Sequence, residues 1–256
     1  MKRLRQKEKE LSGAFEARRL AAGEILWYES VDSTMDAAFG IEGGAVRDRT
    51  LVVSETQTSG RGRFGRKWYS TADDLLFSLV LTDYDFEIPY AMVAALAVFK
   101  AFARYVQGVR LKWINDILWR DGRKMAGILV EERRGRTVVG IGVNLNSARF
   151  PAEVRERATS LFIETGKIVP KGEFLLAIMG ELIPFLDGCG AGGIGGILSE
   201  WEELSEMRGK KVVVRSGDRE YSGTVVGLNG ESGALILHAP DGEIELYDGS
   251  LRYLDN

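Results

Sequence analysis

The chain carries one cysteine, Cys189, and one histidine, His238, among its 256 residues. A lone thiol excludes an intramolecular disulfide and any metal site built from cysteines. A lone imidazole excludes a multi-histidine metal centre and forces any serine or cysteine triad through His238. That residue ends the apolar run Ala234-Leu-Ile-Leu-His238, just before the turn Ala239-Pro-Asp-Gly242, and reads as a strand-end surface residue. Catalysis is thereby left to backbone amides, Arg, Lys, Asp and Asn. Long apolar runs are missing too. The longest helical one, Tyr90 to Phe99, is bounded by Pro89 and Lys100, far short of the ~20 residues that a bilayer span needs. The segment Met1 to Glu10 is charged and has no apolar centre, so it does not read as a secretory signal. Nor is there a charge excess. With 34 basic and 37 acidic side chains the net charge is −3, which points away from nucleic-acid and membrane partners and makes any basic site a local one. The expected location is the cytoplasm.

What is present suits a globular protein: 45% apolar and 28% charged residues, enough for one substantial core and a small second unit. Residues 1–22 read as a surface helix or partly ordered extension with a loose apolar stripe, Leu4, Leu11, Phe15 and Leu20. They are too few for a winged-helix DNA-binding module. Strands are expected at Glu24–Glu29, Thr50–Glu55 and Leu75–Thr82, with Ser33 or Thr34 capping a helix in between. Pro89 opens a helix expected to reach about Gln107, with Gly108 as its stop. From Val109 to Asn146 short β-rich runs alternate with hairpin-type turns at 120–123 and 133–136. Helices are expected at 171–187 and 194–207. Four strand-like runs follow, at 210–215, 219–227, 233–238 and 243–248, and suggest a small SH3-like barrel.

The densest chemical signal is Ser59-Gly-Arg-Gly-Arg-Phe-Gly-Arg-Lys-Trp68. Its glycines permit positive φ angles and close approach to a ligand. Arg61, Arg63, Arg66 and Lys67 supply the positive charge needed to hold a phosphate beside a carboxylate, two anions that repel one another. Trp68 offers a flat face for an adenine. A solvated basic turn, an RGG-type RNA patch and a P-loop are the competing readings. The P-loop fails because Arg66-Lys67 follows Gly65 where Lys-Ser/Thr is required, and an RGG patch usually repeats.

A second element is Leu111-Lys-Trp-Ile-Asn-Asp116, with Arg123-Lys-Met-Ala-Gly-Ile-Leu129 after it. Asp116 can hold a nucleotide-bound Mg²⁺, or Asn115-Asp116 can be an ordinary turn. Lys124 can be a snorkelling strand-edge residue or a fixed ammonium on an α-phosphate. The two glycines of Val139-Gly-Ile-Gly-Val-Asn-Leu-Asn146 suggest backbone packed closely against something. Gly188-Cys-Gly-Ala-Gly-Gly193 satisfies G-x-G-x-x-G, but it follows an expected helix rather than a strand and reads as a joint.

In their order and spacing these segments resemble the biotin protein ligases over nearly the whole chain, residues 1–22 excepted. The matching set is Asp32-Ser-Thr34, Gln57, Gly60-Arg-Gly-Arg-x-Gly-Arg-x-Trp68, Lys112-Trp-x-Asn-Asp116, Lys124-x-Ala-Gly-Ile-Leu129 and Gly140-x-Gly-x-Asn144. The resemblance implies an α+β catalytic domain with a mixed sheet, of the kind shared with class II aminoacyl-tRNA synthetases, over 23–208. An SH3-like domain would occupy 209–256. It implies ATP with Mg²⁺ and biotin as substrates, a biotin carboxyl carrier protein as partner, and an optional homodimer. Biotin would meet Ser33, Thr34, Gln57, Arg61, Gly62, Arg63, Lys124 and Gly127. The nucleotide would meet Arg63, Arg66, Trp68, Asn115, Lys124 and Asn144, with Asp116 on the metal. Lys124, Arg63 and Asp116 would carry catalysis. Two departures stand out: Met35 where the family usually has Asn, and Ile114 where it has Pro. The alternatives are a lipoate or octanoate transferase and a non-catalytic biotin sensor.

Overall fold

The computed structural model describes residues 1–256 apart from 21–22, 42–45, 83–88, 134, 189–192 and 255–256. In chain order the elements are α1 (Arg5–Ala17), β1 (Ile25–Val31), α2 (Thr34–Phe39), β2 (Thr50–Gln57), β3 (Leu75–Leu81), α3 (Tyr90–Ala103), β4 (Val109–Lys112), β5 (Asp116–Trp119), β6 (Lys124–Arg133) and β7 (Arg136–Val143). They continue with α4 (Leu161–Thr165), α5 (Lys171–Leu186), α6 (Gly193–Ser205), β8 (Lys211–Ser216), β9 (Arg219–Leu228), β10 (Leu235–Ala239), β11 (Gly242–Leu246) and β12 (Ser250–Tyr253).

Seven strands form one sheet in the order β1-β2-β3-β7-β6-β5-β4. Only β1 and β2 pair in parallel, so the sheet is mixed. The inner strand β3, Leu-Leu-Phe-Ser-Leu-Val-Leu, is buried at every residue, as a strand covered on both faces must be. Alternation along β2 shows the two layers. Leu51 and Val53 join the large core under α3 and α5, whereas Val52 packs with Leu26, Met35, Ala38, Val80 and Val138 around α2. On that α2 face, Gly127 on β6 and Gly140 and Gly142 on β7 lack side chains, and a cleft takes their place.

The N-terminal residues 1–20 are more than a surface extension. Leu11 and Phe15 of α1 are buried in the main core, and the preceding residues pair with the outer edge of β1. Leu4 donates to the Trp27 carbonyl at 2.6 Å and Glu29 to that of Lys2 at 3.0 Å. Edge N–H and C=O groups that would otherwise face solvent are thereby satisfied.

Residues 211–253 form a five-stranded antiparallel sheet, ordered β11-β10-β9-β8-β12. The fifth strand escapes a pattern search because Leu251 is its one buried residue; its register against β8 defines it. Likewise α4 is too short for an apolar period and rests on Ser160, whose Oγ accepts the Ile163 N–H at 3.0 Å. Helix α3 stops at Ala103, a turn earlier than expected. The second sheet shares the first one's core: Val212, Val214, Leu235 and Leu237 belong to the cluster that holds Met92, Leu198 and Trp201. Buried Trp113 donates its Nε1–H to the Gly233 carbonyl at 3.1 Å, across the two.

Candidate active site

The cleft of about 720 Å³ lies at the end of β2, over β6 and β7, and is bordered by the segment Gly249–Leu251. Its volume suits a substantial organic ligand. Each site residue anticipated from the sequence lines it: Ser33, Thr34, Gln57, Arg61, Gly62, Arg63, Arg66, Trp68, Asn115, Asp116, Lys124, Gly127 and Asn144.

At one end, Ser33 is the N-cap of α2 by backbone geometry, but its side chain makes no capping bond. Gln57 does that work from the next strand, its Oε1 accepting the Thr34 N–H at 2.7 Å and the Thr34 hydroxyl at 3.1 Å. Ser33 Oγ instead accepts from Arg61 at 3.2 Å. Met35 is buried, and its side chain lies where a Cβ on Gly140 would stand, 2.7 Å away. The first departure from the family pattern is thus a wall of the cleft.

The basic loop is pinned before any ligand arrives. Arg61 bonds Glu131 through two nitrogens, at 3.2 and 3.1 Å, and also pairs with Asp36. Of the loop glycines only Gly65 has a positive φ, +70°, and it follows Phe64 at φ 58°. Gly62 is extended, contrary to the expectation that these glycines serve unusual φ angles. Gly60 is needed for space, since a Cβ there would stand 3.0 Å from the Trp68 carbonyl oxygen. Arg63 donates to Asn115 Oδ1 at 3.1 Å and pairs with Asp248 from the second sheet; burial draws its guanidinium below the ordinary arginine value.

The hydrogen bond from Arg61 holds the Glu131 carboxylate below the ordinary glutamate value, against the opposing effect of burial. A depressed folded pKa adds stability that is complete above the unfolded value, about 4.3, and is lost as pH falls through the folded one. Glu131→Gln is therefore expected to flatten the acid limb of the stability profile. Thermal melts between about pH 3 and 6 check this; parallel profiles for parent and variant would count against it.

Asn115 sits in the turn between β4 and β5, so the plainer turn reading is correct for its backbone. Its side chain is held from both ends, Nδ2 donating to the Ile128 carbonyl at 2.7 Å while Oδ1 takes Arg63. Lys124 opens β6 and its Nζ lies 2.6 Å from Asp116 Oδ1 and 5.4 Å from the centre of the Trp68 ring. Trp68 lies on the glycine floor: a Cβ on Gly142 would stand 2.5–2.8 Å from three atoms of its indole. Asn144 is buried and donates through Nδ2 to the carbonyls of Lys124 and Thr159, both at 3.0 Å, which fixes the start of β6. Among the described residues no group of three or more His, Cys, Asp or Glu side chains is placed to hold a metal. Asp116 alone suits a Mg²⁺ that arrives on a nucleotide and keeps phosphate and water ligands.

Four acids that sequence reading passed over organise these groups: Asp36, Glu131, Asp248 and Asp74. Glu131 was within reach of pattern, because period two along β6 puts it on the face of Gly127 and Leu129. Asp74 is fully buried and ties the loop exit to the end of β7, accepting from Thr71 N at 2.9 Å, Leu145 N at 3.1 Å and Ser147 Oγ at 2.8 Å. Burial pushes its carboxyl above the ordinary aspartate value, and the hydrogen bonds from Thr71 and Ser147 oppose that. His238 is exposed on β10, away from the cleft. The glycine-rich decoy follows helix α5, and its residues 189–192, with Cys189, lie outside the described residues. No helix among the described residues is long and apolar enough to cross a membrane.

Residues 27–147 match the biotin/lipoate A/B protein ligase family, and residues 209–250 match the biotin protein ligase C terminal domain. The fold and cleft therefore define an acyl-group ligase of the α+β biotin ligase fold. The bifunctional ligase/repressor BirA of Bacillus spizizenii is 30% identical over 244 residues, which span 89% of this chain and 73% of that protein. The biotin–[acetyl-CoA-carboxylase] ligase of Mycobacterium tuberculosis is 37% identical over 136 residues, 50% of each chain. Biotin protein ligase from Aquifex aeolicus, solved with biotin and ATP, superposes with a TM-score of 0.81 at 30% identity, covering 90% of this chain and 98% of that one. The chain belongs to the biotin protein ligase family.

Proposed function

We propose that this protein activates biotin with ATP and transfers it to a lysine of a biotin carboxyl carrier protein. The observation that carries the reading is the charge layout of the cleft. Arg61, Arg63, Arg66, Lys112 and Lys124 line it, Arg61 and Arg63 held by acids at its rim and Asp116 standing beside the two lysines. Such a site favours two anions held together, and among the described residues no thiol or imidazole lines it.

In this scheme a biotin carboxylate oxygen bonds to the α-phosphorus of Mg·ATP as the bond to the β-phosphate oxygen breaks, and pyrophosphate leaves. The carrier lysine's neutral amine then attacks the acyl carbon, and AMP departs with the bonding electron pair. Ser33, Thr34 and Gln57 face the ureido head, Lys124 meets the carboxylate and α-phosphate, and Arg63 closes over the adenylate. Trp68, Arg66, Asn115 and Asn144 border the nucleotide. Asn144 acts through positioning, since both of its amide N–H groups are spent on backbone carbonyls, whereas Asn115 spends one and keeps a second for the nucleotide. Residues 23–208 serve as the catalytic unit and 209–256 as the C-terminal one. Positioning and electrostatics supply the rate.

Lipoate is the competing acid, and the polar group around Ser33, Thr34 and Gln57 argues against it. A ureido group left without partners costs about 1–3 kcal/mol, whereas an aliphatic or dithiolane end needs none. The test is competition: equal biotin and lipoate, ATP and a carrier domain, read by mass spectrometry of the carrier. Biotin is expected to dominate. Predominant lipoyl addition would overturn the assignment and make Met35 the residue to revert to Asn.

A further inference from the structure

Lys112 ends β4 and is paired in register with Asp116 across the β4–β5 turn. It lines the cleft, yet it makes no hydrogen bond or ion pair among the described residues, whereas Lys124 is bonded to Asp116 at 2.6 Å. One carboxylate thus stands between two lysines and is committed to one of them. Lys112 is part-buried, and its ammonium lies below the ordinary lysine value through that burial, with Asp116 opposing the shift and Lys124 and Arg66 adding to it. A desolvated cation without a bonded counter-charge is costly. The cleft that Lys112 lines is open to an anion from outside.

We propose that Lys112 is a second phosphate-binding lysine, which takes the pyrophosphate that leaves when the acyl-adenylate forms. The assignment rests on the ligase reading above and adds a division of labour to it. Lys124, against the Trp68 ring and the Gly127 backbone, is placed at the bond being made. Lys112, on the other side of Asp116, is placed at the bond being broken. As that bond breaks, the electron pair passes to the bridging oxygen and pyrophosphate gains negative charge. An ammonium fixed there in advance stabilises that charge without giving up a proton. Arg66, exposed on the loop, faces the same anion from the solvent side.

This division separates the two half-reactions. With Lys112→Met in the full chain, adenylate formation from biotin and ATP should slow by about thirtyfold. In biotin-dependent exchange of labelled pyrophosphate into ATP, the KM for pyrophosphate should rise by about tenfold or more. Transfer from supplied biotinyl-5′-AMP to a carrier domain should stay within about twofold of the parent, because pyrophosphate has already left by then. Lys112→Arg keeps the charge and should recover most of the exchange, which guards against a variant that folds poorly. An unchanged KM for pyrophosphate, or equal slowing of both half-reactions, would overturn the proposal while leaving the ligase reading intact. No exchange in the parent protein would overturn both.

Discussion

Lys124→Ala is expected to slow formation of biotinyl-5′-AMP by a hundredfold or more, about 2.7 kcal/mol of barrier, with the fold retained. Two effects act in the same direction. The substitution removes the cation meant for the α-phosphate, and it uncovers Asp116, whose carboxylate Lys124 bonds at 2.6 Å. A half-buried negative charge would then face an incoming polyanion and repel it. The fold should survive because Lys124 is partly exposed and its backbone, rather than its ammonium, is what Asn144 and Thr159 hold. Single-turnover formation of the adenylate, with a thermal melt on the same sample, is the decisive measurement. A rate near that of the parent protein would remove Lys124 from the chemistry.

The second large effect is expected from one methyl group. In Gly142→Ala the new Cβ would stand 2.5–2.8 Å from atoms of the Trp68 indole, well inside van der Waals contact. The ring is rigid and rests on the backbone of β7, so it must leave its seat. Overpacking of this kind costs about 1–3 kcal/mol. The displaced ring also intrudes on the volume meant for the nucleotide, so the KM for ATP should rise by about tenfold. Trp68→Leu added to Gly142→Ala should relieve the strain and restore most of the melting temperature, but not the KM. A lone Gly142→Ala that matches the parent in both readouts would show that the tryptophan has other room.

These cases also show how far the sequence could be read. The individual strands, the basic loop and the strand-rich C-terminus were legible because each is written locally, as an apolar period, a turn or a run of Gly and Arg, whereas the mixed sheet and the places of Ser33, Thr34 and Gln57 followed from the resemblance to a family. Gly140 and Gly142 could be read as backbone packed against something, but Met35 and Trp68 could not be named as the partners without the fold. Gln57 capping α2 in place of Ser33 was hidden for the same reason: a cap normally comes from the adjoining residue, and here it comes from a neighbouring strand. Asp248 was the least visible of all. Nothing around it marks it as a partner of Arg63, and only the return of the second sheet to the cleft brings the two together.

That return bears on how the molecule comes apart. Trp113 donates to the Gly233 carbonyl inside a core to which both sheets contribute, and Met92 and Leu198 lie against Gly233. A chain cut after Arg208 would present those surfaces to water and lose the partner of a buried indole N–H. It would be a sticky fragment rather than a smaller enzyme. Heat or denaturant should accordingly dismantle the intact chain in one cooperative step, and proteases should find no durable core that lacks β8–β12.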